Sequence, residues 1–379
     1  MNKTLVAMAV LGAFTCSAFA AHVTLDGNVD AGVNYQYQKI DGQASTHQFT
    51  QYSGGYGANK IRLTGSEDLG NGLTAGFRLE NGFAIDQGTL GQNGRLFGRQ
   101  ATAFLRGNFG EIAAGRMGAL SSGSGGYTMT YDYGLAFGSG WSDTLGNSSL
   151  FFLGDRGRMD NTFVYVTPQF SGLKLSAQYS FKTDGQEDAQ ESKNKRYIGV
   201  GALYQAGPLS ATLVVDTIKN EADYCNTKDA LGVSFDTSYD LGVAKISGMA
   251  VYGQNEKVMA GYSIEKIYKI GEEKFADNEG LKGYGLGLGV TAPVTGGTVY
   301  AQVNYTSAES EIDVDSTSYE MDRWGLAAAY VYKLSKRTSL YVLGGYNEGK
   351  LETKAVTTTS VKTKTAEFGF GMSHSFWLP

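Results

Sequence analysis

Histidine and cysteine are the residues that could support metal binding or covalent catalysis in this sequence. The three histidines, His22, His47 and His374, lie far apart, without a histidine four residues away or a neighbouring cysteine. Zinc sites and histidine-based acid–base catalysis need such partners close by. Two cysteines also leave little for metal ligation or a disulfide framework. We therefore expect no metal, no cofactor and no enzymatic activity.

Two glycine-rich segments partly match nucleotide-binding loops. Residues 283–289 alternate glycine with Tyr and Leu, which lacks the spacing of a dinucleotide-binding fingerprint. Residues 344–350 begin like a P-loop, but Leu351 replaces the required Ser or Thr. Strict alternation in the first segment instead places the glycines on one face of a strand and the apolar side chains on the other. It predicts a smooth inner wall of a sheet.

Composition excludes several classes of protein. The 379-residue chain has 32 Lys and Arg against 37 Asp and Glu, a formal net charge of −5. A nucleic-acid-binding protein that neutralises phosphates needs a basic excess, so we expect no nucleic-acid partner. Gly is abundant at 53 residues, but only 4 residues are Pro and 12% are aromatic, which excludes collagen-like and disordered chains.

The first twenty residues have the pattern of a secretory signal peptide. Lys3 provides a positive charge, residues 5–14 are apolar, and residues 18–20 read Ala-Phe-Ala. We predict that residues 1–20 are removed and that residues 21–379 form one domain. No later apolar run approaches the roughly 18 residues that a membrane helix requires. The exported chain is therefore either soluble or a β-barrel of an outer membrane.

Alternation of apolar and polar residues decides between these classes. Residues 23–35, 173–181 and 299–305 each place apolar side chains on one face and polar side chains on the other. Strands of about ten residues, with aromatic residues near their ends and a polar second face, are typical of a barrel with lipid outside and water inside.

Turn residues predict the number of strands. Seven short connections lie at residues 69–72, 107–110, 168–172, 205–208, 238–242, 293–297 and 334–337. Eight longer polar stretches alternate with them, at residues 36–58, 84–94, 119–158, 183–194, 219–227, 254–279, 309–319 and 349–363. Seven and eight make fifteen connections, which join sixteen strands. The predicted fold is all-β, a 16-stranded antiparallel transmembrane β-barrel with short periplasmic turns, long external loops and an aqueous channel.

Several charged side chains fall on the polar face of the predicted strands. If the first short turn pairs residues whose numbers sum to about 140, Arg62 faces Arg78, and Glu80 lies one pleat further. Two neighbouring arginines repel each other unless water, anions or carboxylates lie near them, which favours a wet lumen over a packed core. Arg99 and Arg116 are expected to extend this wall, although each follows a glycine that can shift the face on which it lies.

The longest connection, residues 119–158, is the best functional candidate, because long loops in compact domains are usually functional. It contains Asp132, Asp143 and Asp155 together with several aromatic residues. We expect these carboxylates to lie opposite the arginines. The electric field would then run across the lumen, from positive charges on the wall to negative charges on the loop. Arginine is not neutralised at working pH, so the pattern predicts a weak preference for anions.

Several segments, in this order along the chain, resemble the general trimeric porins of Gram-negative bacteria, of the neisserial and β-proteobacterial type. One reads LTGSEDLGNGL at residues 63–73, and the others lie at residues 23–33, 94–101, 110–116, 167–173, 239–245 and 334–341. The resemblance implies a homotrimer in outer-membrane lipid and lipopolysaccharide. It implies that each barrel is a pore, narrowed by an inward-folded third loop, for passive diffusion of small hydrophilic solutes and ions.

The sequence departs from the family pattern at three places. Arg62 stands where the family usually has Gly, and Thr64 where it usually has Arg, so the charge has moved one pleat along the same wall. Val164 and Val166 replace a usually charged pair on the sixth strand. The family chain normally ends at Phe, whereas residues 377–379 follow a Phe here, which alters the assembly signal or marks an appended tail.

Two other functional classes provide the alternatives to a diffusion channel. A barrel of the same fold could act mainly in adhesion or as a receptor, through its external loops. A soluble secreted β-protein with an enzymatic cleft would require the alternating apolar faces to meet each other. The channel is the favoured hypothesis because the polar faces carry charges that need water.

Overall fold

Sixteen antiparallel strands close into a barrel. The computed structural model describes residues 22–138, 141, 153, 156–221, 228–260, 262–263, 280–311 and 317–378, and the predicted signal peptide lies outside them. The barrel strands, β1 to β16 in chain order, are His22–Ile40, Lys60–Gly70, Leu73–Ala84, Gln100–Gly107, Gly110–Gly118, Arg158–Val166, Leu173–Ser180, Arg196–Ala206, Leu209–Lys219, Ala230–Asp240, Lys245–Glu256, Leu281–Val294, Gly297–Ser310, Ser318–Lys333, Thr338–Lys354 and Thr359–Leu378. Each strand pairs with the next, and β16 pairs with β1, which closes the barrel.

Closure confirms the predicted all-β fold and pairs each barrel strand on both sides, as a membrane-spanning sheet requires. Helical structure in the described residues is limited to one turn at Gly91–Gly94 and a 3-10 turn at Glu191–Lys193. None of the described helices has the length and apolar character needed to cross a membrane.

The seven short turns are confirmed, and they lie together at one rim. In the first, Gly70, Asn71 and Gly72 have φ values of 84°, 52° and 75°. Gly and Asn tolerate this left-handed region, which tight hairpin turns require. The register of the hairpin shifts between Asp68 and Gly70, so one extra residue lies on the β2 side.

Two of the predicted long loops are wrong. An additional strand, Thr46–Ser53, pairs with the upper half of β1, so the first loop shrinks to residues 41–45. β15 and β16 continue through most of 349–363, which leaves residues 355–358 as their connection. Residues 349–363 include five Thr, a good strand former, and most side chains of Thr46–Ser53 are exposed, so polar residues form strands in both segments.

Residues 54–59, called the inward segment here, connect Thr46–Ser53 to β2 inside the barrel. The buried carboxylate of Asp30 accepts hydrogen bonds from the backbone N–H groups of Gly55 and Gly57, both at 2.9 Å. The side chain of Asn59 bonds the backbone of Asp30 in both directions, at 2.6 and 3.0 Å. These bonds hold Tyr56 in the lumen.

The two faces of the sheet match the predicted alternation. Outward side chains are apolar, with Phe368 and Phe370 each 54% exposed, while the inward face carries polar and charged groups. On β12 the glycines face inward, and a Cβ added at Gly289 would lie 2.7 Å from the Cβ of Ala136. Because these glycines have no side chains, the third loop can approach the backbone of β12 closely.

The C-terminal residues after Phe376 continue the last strand. Trp377 pairs with Asp26 and Leu378 with Leu25 in the same register as the rest of β16. The backbone of these two residues is therefore part of the barrel wall. Pro379 lies outside the described residues.

Candidate functional site in the lumen

The predicted pairing of Arg62 with Arg78 is wrong. The structure pairs Arg62 with Glu80 and Thr64 with Arg78, so paired numbers sum to 142. The turn is centred on Asn71 and Gly72, later in the chain than the predicted sum assumed: Gly70 pairs with Leu73, which sums to 143, and the extra residue between Asp68 and Gly70 then reduces the sum to 142. Because the shift is even, all three charged side chains keep the predicted lumen face, and Arg62 meets a carboxylate.

Glu80 is the centre of a first group of charges on β2 to β4. Its carboxylate lies 2.6 Å from Arg99, 3.5 Å from Lys60 and 4.0 Å from Arg62. Arg62 also pairs with Asp26 on β1 at 3.0 Å. Three cations thus share the almost fully buried carboxylate of Glu80.

Glu111 on β5 is the centre of a second group. Arg78 donates to it at 2.9 Å, and Arg106 lies 2.5 Å from it. Tyr127 of the third loop donates its hydroxyl to the same carboxylate. The Arg78 guanidinium also lies over the Phe104 ring, 4.3 Å from its centroid. Burial and the bond to Glu111 raise the pKa of Tyr127 well above its ordinary value, so this hydroxyl remains a donor.

Asp160 on β6 is the centre of a third group. Its carboxylate accepts from Arg116 at 2.6 Å and from Arg95 at 2.8 Å, and Arg95 also pairs with Asp184 at 2.7 Å. The register between β5 and β6 shifts just after Gly115, whose φ is 132°, with one extra residue on the β6 side. Beside this glycine, Arg116 reaches the carboxylate of Asp160 in the lumen.

We call the basic side chains of β2 to β6 and of the connection between β3 and β4 the basic wall. Seven of them share five carboxylates through ion pairs, and Arg158 adds an eighth charge within electrostatic range of Arg99 and Arg116. Charge-assisted pairing fixes these side chains in place. The excess of cations over carboxylates leaves this wall positive.

The third loop, residues 119–157, is fastened to the opposite wall by a buried ion cluster. Arg156 binds Asp216 on β9 and Glu256 on β11, the latter at 2.6 Å, and its side chain is fully buried. Ser121 and Tyr197 also donate to Asp216. Burial lowers the pKa of Arg156, but the two carboxylates outweigh it and hold the pKa above its ordinary value.

An apolar contact holds the start of the same loop. Leu120 and Met129 pack with Phe104, Val164 and Val214 from the inner wall. The valine that replaces a usually charged residue of β6 therefore forms part of a docking surface for the loop. A Cβ at a glycine there would also clash: at Gly201 it would lie 2.5 Å from the Met129 sulfur.

Of the three predicted loop carboxylates, the structure describes one. Asp132 lines the lumen cavity and also a smaller cleft that includes Asp240 and Lys245. Asp143 and Asp155 lie outside the described residues. The groups assembled around Glu111 and Asp160, and the Arg156 cluster, were not predicted. The alternation of residues along each strand predicts which side chains face the lumen. It does not predict which charged side chains pair with each other.

The lumen contains a cavity of about 1350 Å³ with a basic lining. Asp132 is the one carboxylate among the described lining residues. The basic lining residues are Lys60, Arg99, Arg156, Arg158, Lys245, Lys333, Lys336 and Arg337. The last four lie at the rim of short turns, so positive charge extends from the basic wall to that mouth.

Comparisons with known proteins identify the family to which this barrel belongs. A model of the Gram-negative porin family matches residues 7–351. The chain belongs to this family. This porin is 30% identical to an outer membrane porin protein of Bordetella pertussis, covering 99% of the chain and 100% of that protein. It is also 30% identical to outer membrane porin protein 32 of Delftia acidovorans, with the same coverage.

Solved porin structures have the same fold. An anion-selective porin from Comamonas acidovorans superposes with a TM-score of 0.61 and 26% identity, over 94% of this chain and 100% of that one. A trimer form of OmpT of Vibrio cholerae has a TM-score of 0.60 at 14% identity, over 94% and 99% of the two chains. This porin is therefore a multi-pass protein of the bacterial outer membrane, and its barrel is a channel for passive diffusion of small hydrophilic solutes and ions.

Proposed function

We propose that this porin is a passive channel that prefers anions, with no enzymatic role. The observation that carries the proposal is the lining of the lumen cavity, where seven basic side chains, besides the fully buried and ion-paired Arg156, accompany a single described carboxylate. The chain as a whole carries a net charge of −5, so the local field has the opposite sign to the total charge.

Local charges dominate selectivity because screening limits their range. At physiological salt the Debye length is about 8 Å, so charges on the external loops contribute little to an ion inside the lumen. The carboxylates of Glu80, Glu111 and Asp160 are each shared by two or three cations. A passing anion therefore meets a positive wall, and a passing cation is repelled.

The selective residues follow from the same geometry. Arg62, Arg78, Glu80, Arg99 and Arg116 form the wall of the constriction, and the third loop narrows the lumen in front of them. Asp132 provides the acidic side of the field, and we assign the same role to Asp143 and Asp155. The relative from Comamonas acidovorans, described as anion-selective, supports this assignment.

We also propose that the functional unit is a homotrimer in outer-membrane lipid and lipopolysaccharide. Phe368 and Phe370 on β16 and Val29 on β1 lie on one outward apolar face, where the first and last strands pair. A flat apolar face of this kind suits packing between barrels in a membrane.

The test is a measurement of reversal potential. Refolded mature protein is inserted into a planar bilayer, and current is recorded across a gradient of KCl. We expect discrete conductance steps and a reversal potential displaced towards the equilibrium potential of chloride. A displacement towards the potassium equilibrium potential would overturn the anion preference, and the absence of conductance would overturn the channel itself.

A further inference from the structure

Three aromatic side chains from different parts of the chain meet inside the lumen. Tyr56 of the inward segment lies 4.8 Å from Trp141 of the third loop, and Trp141 lies 5.1 Å from Tyr300 of β13, measured between ring centroids. We call these three residues the aromatic shelf. Tyr56 and Tyr300 are also joined by a hydrogen bond.

The aromatic shelf is held rigidly from behind. The Asp30 carboxylate accepts the backbone N–H of Tyr56 at 3.3 Å and the hydroxyl of Tyr341 at 2.8 Å. Phe137 packs edge-on against Trp141 at 4.9 Å, and its own N–H bonds Gln302 at 3.2 Å. Rings fixed in this way need little reordering when a ligand arrives.

The same cavity joins the aromatic shelf to fixed positive charge. Tyr56, Trp141 and Tyr300 line the 1350 Å³ cavity, and so do Lys60 and Arg158 of the basic wall. Lys60 follows Tyr56 by four residues, immediately after the inward segment. Diffusion of ions alone does not require aromatic side chains on the lumen surface. Half-buried rings that contact water there therefore suggest a further role.

We propose that the aromatic shelf and the basic wall form a binding subsite for flat aromatic carboxylates. The ring of the solute would pack against Tyr56 and Tyr300, and its carboxylate would face the cations across the cavity. Aromatic pairs add to simple area burial through their quadrupoles, so a planar ring gains more than a saturated ring of similar size. This inference rests on the proposed anion channel and names a class of anion that the channel retains.

The experiment compares block of chloride current by benzoate, cyclohexanecarboxylate and acetate, which carry the same charge. We expect benzoate to reduce single-channel current at concentrations where the other two anions do not. Tyr56→Leu keeps apolar volume but removes the ring, and it should raise the half-blocking concentration of benzoate about 2- to 10-fold. Tyr300→Phe keeps the ring and should retain the block.

A matched control removes a ring from the other face of the barrel. Tyr330→Leu acts on a β14 residue whose neighbours Ala329 and Val331 face the lumen, so it should leave the benzoate block unchanged. Equal block by the three anions, or block that persists in Tyr56→Leu, would overturn the inference. Reversal potential in KCl, measured on the same channels, reports the proposed anion preference separately, because none of these variants changes charge.

Discussion

At the scale of single residues, the arrangement of ion pairs explains how arginine can line a lumen without disrupting it. Glu80 and Glu111 each hold two or more cations, and Tyr127 joins the second group to the third loop. A lone arginine on such a wall would move freely in water, whereas a bidentate or shared pair has a fixed position. The proposed constriction is therefore both charged and ordered.

Replacing Arg62 and Arg78 by Gln tests their part in selectivity. A unit charge at about 8 Å in water interacts with an ion by ~0.5 kcal/mol, or roughly twofold in its local concentration. We expect the double variant to lower the ratio of anion to cation permeability by at least about twofold. The measurement is the reversal potential in a KCl gradient.

The matched control is Lys362→Gln with Lys364→Gln, which removes the same charge from the extended part of β16. Both lysines pair with Glu348, at 4.0 and 3.9 Å, and lie outside the lumen. This control should leave the reversal potential unchanged. If Arg62→Gln with Arg78→Gln leaves it unchanged as well, neither arginine contributes to selectivity.

At the scale of elements, the third loop depends on a wall that is shaped to receive it. Arg156 fastens one end through Asp216 and Glu256, and the apolar contact of Leu120 and Met129 fastens the other. Between these ends the loop passes close to the glycine face of β12, near Gly289. The width of the lumen is therefore set by how closely loop and wall approach.

Gly289→Ala tests this contact. The new Cβ would lie 2.7 Å from both the Cβ and the backbone nitrogen of Ala136, so the loop must move towards the lumen axis. We expect lower single-channel conductance and a loss of stability of about 1–3 kcal/mol, as for other overpacked sites. Gly344→Ala, where the nearest atom is 3.4 Å away, is the control that should change neither. Equal conductance of both variants and wild type would argue against the contact.

At the scale of the whole molecule, the strands of the barrel differ in length, so one side of the barrel is taller than the other. β1, β15 and β16 have 19, 17 and 20 residues, whereas β7 has 8. About 9–11 residues suffice to cross the hydrocarbon layer, so the long strands continue beyond it. Their outward apolar residues include Phe368 and Phe370, which lie on the face that we assign to the trimer contact.

Phe368→Gln with Phe370→Gln tests this assignment by native mass spectrometry in mild detergent. We expect wild-type protein to be trimeric and the variant to dissociate, because packing between barrels depends on close van der Waals contact of these rings. Leu286→Gln with Leu288→Gln alters the outward face of β12, away from the paired first and last strands, and should leave the trimer intact. Monomeric wild-type protein would contradict the proposed assembly.

Local patterns determined the class of fold and the facing of most wall residues. Period-two alternation and turn residues at 69–72 and six similar places predicted sixteen strands, because both signals depend on neighbours along the chain. The same alternation placed Arg62, Arg78 and Glu80 on the lumen side. Motif resemblance indicated the porin family, which the comparison with known proteins confirmed.

Tertiary structure decided which groups meet. The first turn is centred on residues 71 and 72, later than predicted, which changed the partner of Arg62 from Arg78 to Glu80. Strand pairing turned the predicted loops at 36–58 and 349–363 into strands and short connections. The aromatic shelf and the Arg156 cluster join residues about 60 to 245 positions apart. Such contacts depend on closure of the barrel and on docking of its loops, and no local periodicity encodes them.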